Sequence, residues 1–432
     1  MTQPTTTGSQ RDAPRFNERR STLLLFAYGF GNAAAYVIAR TVADSEFLSR
    51  IGPERLPNVY LASAGTVALT SAVYGLLVRG ASVRRAVVMT LGLLSFLTAL
   101  LPLLVDAFPT APLALTAVYL MAQVRGSLGT IQFTVLLNEQ FAGRRPERVV
   151  GIVGIGSTLA GFLLGMALGQ FSNSFNLASL LYVVALIDVA TMIPVRLLPP
   201  GRRQQNSLPD EFFWLPSTEQ NTWELNGTHY PIRLASMMAV AVVCTTLVEY
   251  QWKVTVAEQL QRDETQLAQY FGTFYGCVFL LTGLLQFFLT AAVLKHRGVI
   301  AGLLLFPLAL FVSGIGVLLS TSGRMLLAAV SFAKGCDALK RSMNDPAVHL
   351  LYTPLPNQLR HQVVTMVAGI IKPIAEATAS VVLIVMATTI SSRQLSWIVL
   401  ALIAAWLTLD VLVWQGFRRL RQHTEADEQR SE

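Results

Sequence analysis

Residues 196–233 read RLLPPGRRQQNSLPDEFFWLPSTEQNTWELNGTHYPIR, a polar stretch in a chain that is otherwise strongly apolar. Its proline, asparagine and glutamine content predicts a linker, and Trp214, Trp223 and Tyr230 are typical of side chains that anchor at a membrane interface. On each side of the linker lie six apolar stretches of about 20 residues, the length with which an α-helix crosses a bilayer. The predicted spans are 22–43, 57–78, 86–105, 112–138, 149–170, 176–195, 234–255, 269–294, 299–319, 325–352, 363–387 and 395–414.

The composition supports a membrane protein. Of the 432 residues, 53% are hydrophobic and only 13% are charged. That charged share is about half of the roughly 25% usual in soluble proteins, which excludes a soluble globular protein, a disordered chain and a collagen. The formal net charge of +8 fits basic residues that flank membrane spans better than it fits a nucleic-acid surface.

The cysteines and histidines indicate no chemistry. The three cysteines lie in apolar stretches, and the five histidines are scattered along the chain. Neither set has the spacing of metal ligands or of a disulfide framework, and no nucleophile–base set is visible. We therefore expect no metal, no cofactor and no enzymatic activity.

The distribution of lysine and arginine predicts the orientation. Each loop takes the number of the predicted span that precedes it. The N-terminus, the even-numbered loops and the C-terminus together hold 21 of these residues, and the odd-numbered loops hold 5. Because cytoplasmic loops carry the excess of positive charge, both termini and the linker are expected in the cytoplasm, with the chain in the plasma (inner) membrane of a bacterium. The predicted segments are an N-terminal tail (1–21), a six-helix half (22–195), the linker (196–233), a second six-helix half (234–414) and a C-terminal tail (415–432).

A six-plus-six chain with a central cytoplasmic linker has the layout of the major facilitator architecture. The predicted fold class is thus an all-α, polytopic membrane protein with 12 transmembrane helices. In that architecture the two halves are related by an axis along the membrane normal, and the substrate binds between them near the bilayer midplane.

Charged residues inside the spans indicate where a site would lie. A lysine or arginine at the bilayer centre costs at least about 2.5–3.5 kcal/mol, so it is expected to face a cavity or a partner. Three pairs stand four residues apart, on one helix face each: Arg40/Asp44, Glu249/Lys253 and Lys372/Glu376. They either orient the helices as structural ion pairs or line a site.

The tenth and fourth spans carry longer charged patterns. Lys334, Asp337, Arg341 and Asp345 form one helical stripe in the tenth span, and Lys340 lies one position off it. Arg125, Gln132 and Glu139 share a face of the fourth span. Arg125 and Lys340 have no unclaimed acid one turn away, so we expect them to face each other across the cavity and to bind an anion.

Two further features concern packing. Asp410 lies near the end of the twelfth span and is expected to reach the membrane interface. Gly161 and Gly165, in G-x-x-x-G spacing in the fifth span, predict a close helix contact.

Four stretches carry a family resemblance. The seventh span contains LVEYQWK (247–253), the fourth contains YLMAQVRGS (119–127) followed by Asn138 and Glu139, the first contains Arg40 and Asp44 before IGPERLP (51–57), and the tenth contains Asp345-Pro346 before YTPL (352–355). Over about residues 22–385 these stretches resemble the nucleotide transporter family, the ATP/ADP translocases of plastids and obligate intracellular bacteria and their relatives. The resemblance implies a twelve-helix transporter of nucleotides. Two lysines of the family pattern are absent, because Ala43 and the stretch Ala347-Val348-His349 stand in their places.

The sequence therefore predicts a secondary transporter of an anionic metabolite, a nucleotide or another phosphorylated compound, that works by alternating access. The expected substrate-binding cations are Arg40, Arg125, Lys253, Lys340 and Arg341. The acids expected to switch the site are Asp44, Glu139, Glu249, Asp337 and Glu376. Tyr36 or Tyr119 is a candidate for stacking on a base. The missing lysines motivate an alternative, a transporter-like membrane module that senses a ligand or anchors partners without transport.

Overall fold

The computed structural model describes residues 18–80, 82–108, 111–141, 147–174, 176–199, 229–386 and 391–431. Most of the predicted linker and the first 17 residues of the predicted N-terminal tail lie outside these ranges. The described residues form helices and no strand. Ten helical stretches among them are long and apolar enough to cross a membrane. The other two predicted spans, the fourth and the tenth, also pack into the bundle.

Among the described residues, six long α-helices form the N-terminal half, and nine α-helical segments form the C-terminal half. The first set is α1 (Glu18–Arg50), α2 (Leu56–Gly80), α3 (Val83–Ala107), α4 (Pro112–Phe141), α5 (Glu147–Phe171) and α6 (Leu180–Leu197). The second set is α7 (Tyr230–Gln259), α8 (Glu264–Leu285), α9 (Ala291–Leu319), α10 (Gly323–Gly335), α11 (Asp337–Leu339), α12 (Asp345–Leu351), α13 (Asn357–Met366), α14 (Lys372–Met386) and α15 (Ser392–Ser431). The last helix runs through residues 415–431, which the sequence assigns to a tail.

Three predicted spans contain π-helical turns among the described residues, and in the eighth span the turn lies at Gln286–Thr290. The tenth span consists of α10, α11 and α12 with a π turn at Lys340–Asn344, and the eleventh consists of α13 and α14 with a π turn at Val367–Ile371. Such turns use i→i+5 hydrogen bonds, so each adds a residue to one turn and shifts the helix face that follows. Sequence periodicity at 3.6 residues does not reveal this shift.

The two halves pack closely through α5 and α8. Gly165 and Gly169 of α5 lie against Gly272 and Gly276 of α8. A Cβ atom at Gly165 would lie 2.6 Å from the Cα of Gly276, which is too close for any side chain. The predicted close helix contact is therefore present at Gly165. At Gly161 the neighbour is the ring of Phe279, which fills the place where a Cβ would stand.

Asp410 does not reach an interface, contrary to the expectation from the sequence. It is fully buried on α15, one helical turn after the buried Trp406 and three residues before the buried Val413. Buried residues recur along α15 at 395, 399, 403, 406, 410, 413, 417 and 420, which is the stripe of a core-facing helix. Because of this register, the Asp410 side chain points into the bundle. Its position near the end of the span had suggested that it reaches the membrane interface.

Candidate substrate-binding cavity

A cavity of about 330 Å³ lies between the two halves. Of its 23 lining residues, 20 belong to the C-terminal half, and the N-terminal half contributes Tyr36, Arg40 and Gln123. The bundle has a terminal side, where α1 begins and α15 ends, and an opposite side, where α1 ends and α15 begins. The lining of α7 runs from Met237 to Glu249, so the cavity extends from the middle of the bundle toward the terminal side.

Glu249 is the centre of a charged cluster at the inner end of this cavity. Its carboxylate accepts a hydrogen bond from the Arg40 guanidinium of the N-terminal half. It also lies 2.9 Å from the Lys253 Nζ and 3.2 Å from the Lys334 Nζ. One carboxylate thus meets three cations, one of which belongs to the other half of the molecule.

Asp44 completes the cluster behind the cavity wall. Its carboxylate accepts hydrogen bonds from the Lys253 Nζ at 2.7 Å and from the Tyr275 hydroxyl at 2.5 Å, and it lies 3.0 Å from the Arg40 Nε. The predicted pairs Arg40/Asp44 and Glu249/Lys253 are therefore both present. The sequence did not reveal that they join into one cluster across the two halves. Asp44 and Lys253 are fully buried and are not among the lining residues, so as placed here they support the site and do not face it.

The segmented tenth span supplies most of the remaining charge. The Lys334 Nζ pairs with Asp337 at 2.8 Å. Lys340 and Arg341 both line the cavity, although the sequence placed Lys340 off the charged stripe, because the π turn that begins at Lys340 widens the helix there. The Arg341 guanidinium lies 5.1 Å from the centroid of the Phe279 ring, within cation–π distance.

Lys372 and Glu376 of α14 also line the cavity. In the described part of the chain they do not form the predicted ion pair within 4.0 Å, and neither Lys340, Arg341 nor Lys372 has an acidic partner at that distance. Three cations therefore face the cavity without an ion pair among the described residues.

Arg125 is not where the sequence predicted it. Its guanidinium pairs with Asp188 of α6 and donates to the Thr98 hydroxyl at 2.9 Å, and the residue is 1% exposed. It does not line the cavity, so the prediction that it faces Lys340 across the cavity is wrong. Removing an arginine from water is costly unless an acid and further hydrogen bonds compensate, and Asp188 is the sole acidic residue in the sixth span. That isolated acid was the signal in the sequence.

Glu139 and Tyr119 also lie away from the cavity among the described residues. Glu139 is near the terminal end of α4 and is not a lining residue. Tyr119 is fully buried, and its hydroxyl accepts a hydrogen bond from the Lys253 Nζ at 2.7 Å, so its ring is covered. Of the two tyrosines considered for base stacking, Tyr36 is the one that lines the cavity.

Further contacts join the halves on the opposite side. Arg50 of α1 lies 3.3 Å from Glu264, and Asn173 accepts a hydrogen bond from Gln269 at 2.9 Å. Glu54, after α1, pairs with Arg262, which precedes α8. Together with the cluster around Asp44 and Glu249, these pairs join the halves beyond the inner end of the cavity, on a side that also holds a second cavity of about 480 Å³.

Comparison with known proteins identifies the fold. No protein-family model and no curated protein sequence matches the chain. Among solved structures, a D-xylose–proton symporter is similar with a TM-score of 0.64 at 13% identity, covering 92% of this chain and 97% of the symporter. The human organic anion transporter MFSD10 gives 0.63 at 11% identity, with 91% and 99% covered. The nucleoside transporter NupG gives 0.58 at 13% identity, with 93% and 98% covered.

These similarities extend over nearly the whole length of each protein. The chain is an all-α, polytopic membrane protein with the fold of the major facilitator superfamily, as the sequence predicted. At 11–13% identity the similarity concerns the fold alone.

Proposed function

We propose that this chain is a secondary transporter that carries an anionic metabolite, such as a nucleotide or another phosphorylated compound, by alternating access between its two halves. The observation that carries the proposal is the set of cavity-facing cations without an ion-pair partner in the described residues, Lys340, Arg341 and Lys372. Ionisable residues inside a membrane bundle that face a cavity typically mark a substrate pathway.

The chemistry of these side chains suits an anion. The planar guanidinium of Arg341 offers a fork of donors to a phosphate or carboxylate, and Lys340 and Lys372 act as point charges. Glu249, Asp337 and Glu376 are acids on the same cavity wall. They are placed to compensate the cations when the substrate has left.

The fold alone does not choose the substrate. The three similar structures are named for a sugar, a nucleoside and an organic anion, and one fold commonly serves unrelated ligands. The resemblance of residues 247–253 to the nucleotide transporter family favours nucleotides as the first compounds to test.

Binding and flux test the proposal together. A nucleotide at 100 times its dissociation constant should stabilise the purified protein by about 2.7 kcal/mol, measured as a thermal shift. Proteoliposomes loaded with ADP should take up labelled ADP by counterflow. Lys340→Gln and Lys372→Gln should each weaken anion binding tenfold or more, about 1.4 kcal/mol. Arg324→Gln, which removes an exposed cation on the opposite side that lines neither cavity, is the matched control and should change nothing.

Three results would count against the proposal. If no nucleotide, phosphorylated metabolite or other organic anion binds, the cavity is not an anion site. If binding is unchanged in Lys340→Gln and Lys372→Gln, the site lies elsewhere. If an anion binds but no counterflow occurs, the chain is a ligand-sensing membrane module and not a transporter.

We further propose that the chain lies in a bacterial inner membrane with both termini in the cytoplasm. The 21 lysines and arginines of the N-terminus, even-numbered loops and C-terminus support this orientation against 5 in the odd-numbered loops. The cavity then opens toward the cytoplasm. Cysteines placed at Asn206 or Thr222, after replacement of the native cysteines, should react with an impermeant reagent only in permeabilised cells. Labelling in intact cells would mean that the linker lies outside the cytoplasm and that the proposed orientation is wrong.

A further inference from the structure

The charges that line the cavity nearly cancel. Among the described residues, the lining contains five cations, namely Arg40, Lys334, Lys340, Arg341 and Lys372, and four acids, namely Glu249, Asp337, Asp345 and Glu376. Directly behind the wall, Lys253 and Asp44 pair with each other at 2.7 Å and add no net charge. With these side chains in their usual ionised forms, the cavity has an excess of one positive charge.

This excess limits the charge that a ligand can bring. An ion that enters a protein interior without compensation costs several kcal/mol even after relaxation. A ligand with one negative charge leaves the occupied cavity neutral. A phosphate monoester carries about −1.5 to −2 charges at pH 7, so the occupied cavity becomes slightly negative. A nucleoside triphosphate leaves the occupied cavity with a large negative excess.

Part of the cavity lining is apolar. Met237, Met238, Ala241 and Val242 of α7 line the cavity together with Phe274 and Val278 of α8 and Trp406 of α15. Methionine side chains are flexible and polarizable and adapt to irregular apolar shapes. Ligand pockets commonly combine such an apolar wall with a few polar groups that fix the ligand's orientation.

We propose that the substrate is an organic anion that carries a single net negative charge on an apolar or aromatic body. Its anionic group binds Lys340, Arg341 and Lys372, and its body packs against Met237, Met238 and Trp406. The inference rests on the proposed function and narrows it, because it places nucleoside triphosphates outside the preferred substrates.

A series of probes with one body and different charge tests this directly. Naphthalene-1-sulfonate, naphthalene-1,5-disulfonate and naphthalene-1,3,6-trisulfonate share an aromatic body and carry one, two and three permanent charges. Their affinities for the purified full chain are measured by calorimetry and by thermal shift. We expect the monosulfonate to bind at least tenfold more tightly than the trisulfonate.

Two substitutions change the cavity charge in opposite directions. Glu376→Gln raises the positive excess to two and should move the preference toward the disulfonate. Lys372→Gln removes the excess and should weaken the monosulfonate tenfold or more. Arg324→Gln is again the control, and the melting temperature of each variant without ligand shows whether it is folded.

Several outcomes would overturn the inference. These are an affinity that rises steadily with charge, a preference that Glu376→Gln leaves unmoved, and the absence of binding by every member of the series. If the monosulfonate binds as expected but labelled monosulfonate shows no counterflow in proteoliposomes, the charge rule stands and the transport function fails. If ATP shows counterflow in preference to the monosulfonate, the transport function stands and the charge rule fails.

Discussion

Arg125 and Asp188 bury a complete ion pair inside the N-terminal half, with about 1% of each residue exposed. Removing one partner of such a pair typically costs about 3–5 kcal/mol, because the other charge remains buried without compensation. Arg125→Gln and Asp188→Asn should therefore each lower the thermal stability of the purified protein strongly.

The double variant Arg125→Met/Asp188→Leu separates a structural pair from a binding residue. Replacing both charges by apolar side chains of similar volume is often neutral or stabilising, so the double variant should recover most of the lost stability and keep anion binding. If Arg125→Gln instead folds like the wild type and loses anion binding, Arg125 belongs to the site.

Partners within one helix follow from the sequence, and partners between helices do not. The spacing of Arg40 from Asp44 and of Glu249 from Lys253 places each pair on one helix face, and both pairs are present. No spacing rule connects Lys253 with Asp44, or Arg125 with Asp188, because such contacts depend on how helices pack. The same limit explains why Asp44, Lys253 and Arg125 were expected in the cavity and lie away from its lining.

Asp410 provides a second test at the residue scale. It is fully buried on the core stripe of α15, and no cation lies within 4.0 Å of its carboxylate among the described residues. Burying an acid that no cation compensates is unfavourable, so Asp410→Leu should raise the melting temperature without changing flux. Loss of transport by a folded Asp410→Leu protein would show instead that the chain keeps this acid for its function.

At the scale of elements, the contact between α5 and α8 depends on two pairs of glycines. A Cβ at Gly165 would lie 2.6 Å from the Cα of Gly276, and a Cβ at Gly154, on the same helix, would have no atom within 4 Å. Overpacking a close contact typically costs about 1–3 kcal/mol. Gly165→Ala should therefore lower the thermal stability, and Gly154→Ala should leave it unchanged or raise it. Equal melting temperatures for the two variants would mean that the helices are not in close contact in the protein.

The π turn at Lys340–Asn344 shows what the helical pattern leaves out. The apolar length of 325–352 predicts one continuous span, and its charged stripe predicts one face. The π turn changes the face in the middle of the span, so Lys340 and Arg341 both reach the cavity. The sequence predicts that charged side chains of this span lie inside the bundle. It does not predict the π turn that directs Lys340 and Arg341 toward the cavity.

At the scale of the whole molecule, the predicted fold of twelve spans follows from two features of the sequence. A bilayer sets the apolar length of each span, and the one long polar linker divides the spans into two sets of six. The conformation follows from contacts that only the structure shows. Ion pairs and hydrogen bonds join the halves from the Asp44–Glu249 cluster to the opposite side, and the cavity lies on the terminal side of that cluster. Transport by alternating access requires these contacts to break and the opposite side to open.

The most direct test of whether transport requires the opposite side to open is counterflow through a protein that can be reversibly cross-linked there. Glu54 and Arg262 pair across the two halves, and their side chains are 64% and 42% exposed, so reagents can reach them. Both are replaced by cysteine in a protein from which Cys244, Cys277 and Cys336 have been removed, and a short bifunctional thiol reagent that dithiothreitol cleaves joins them. Counterflow of labelled ADP or naphthalene-1-sulfonate should be present before cross-linking, absent after it and restored by dithiothreitol, with the single-cysteine variants unaffected. Equal flux before and after cross-linking, or no flux in either state, would contradict transport by alternating access.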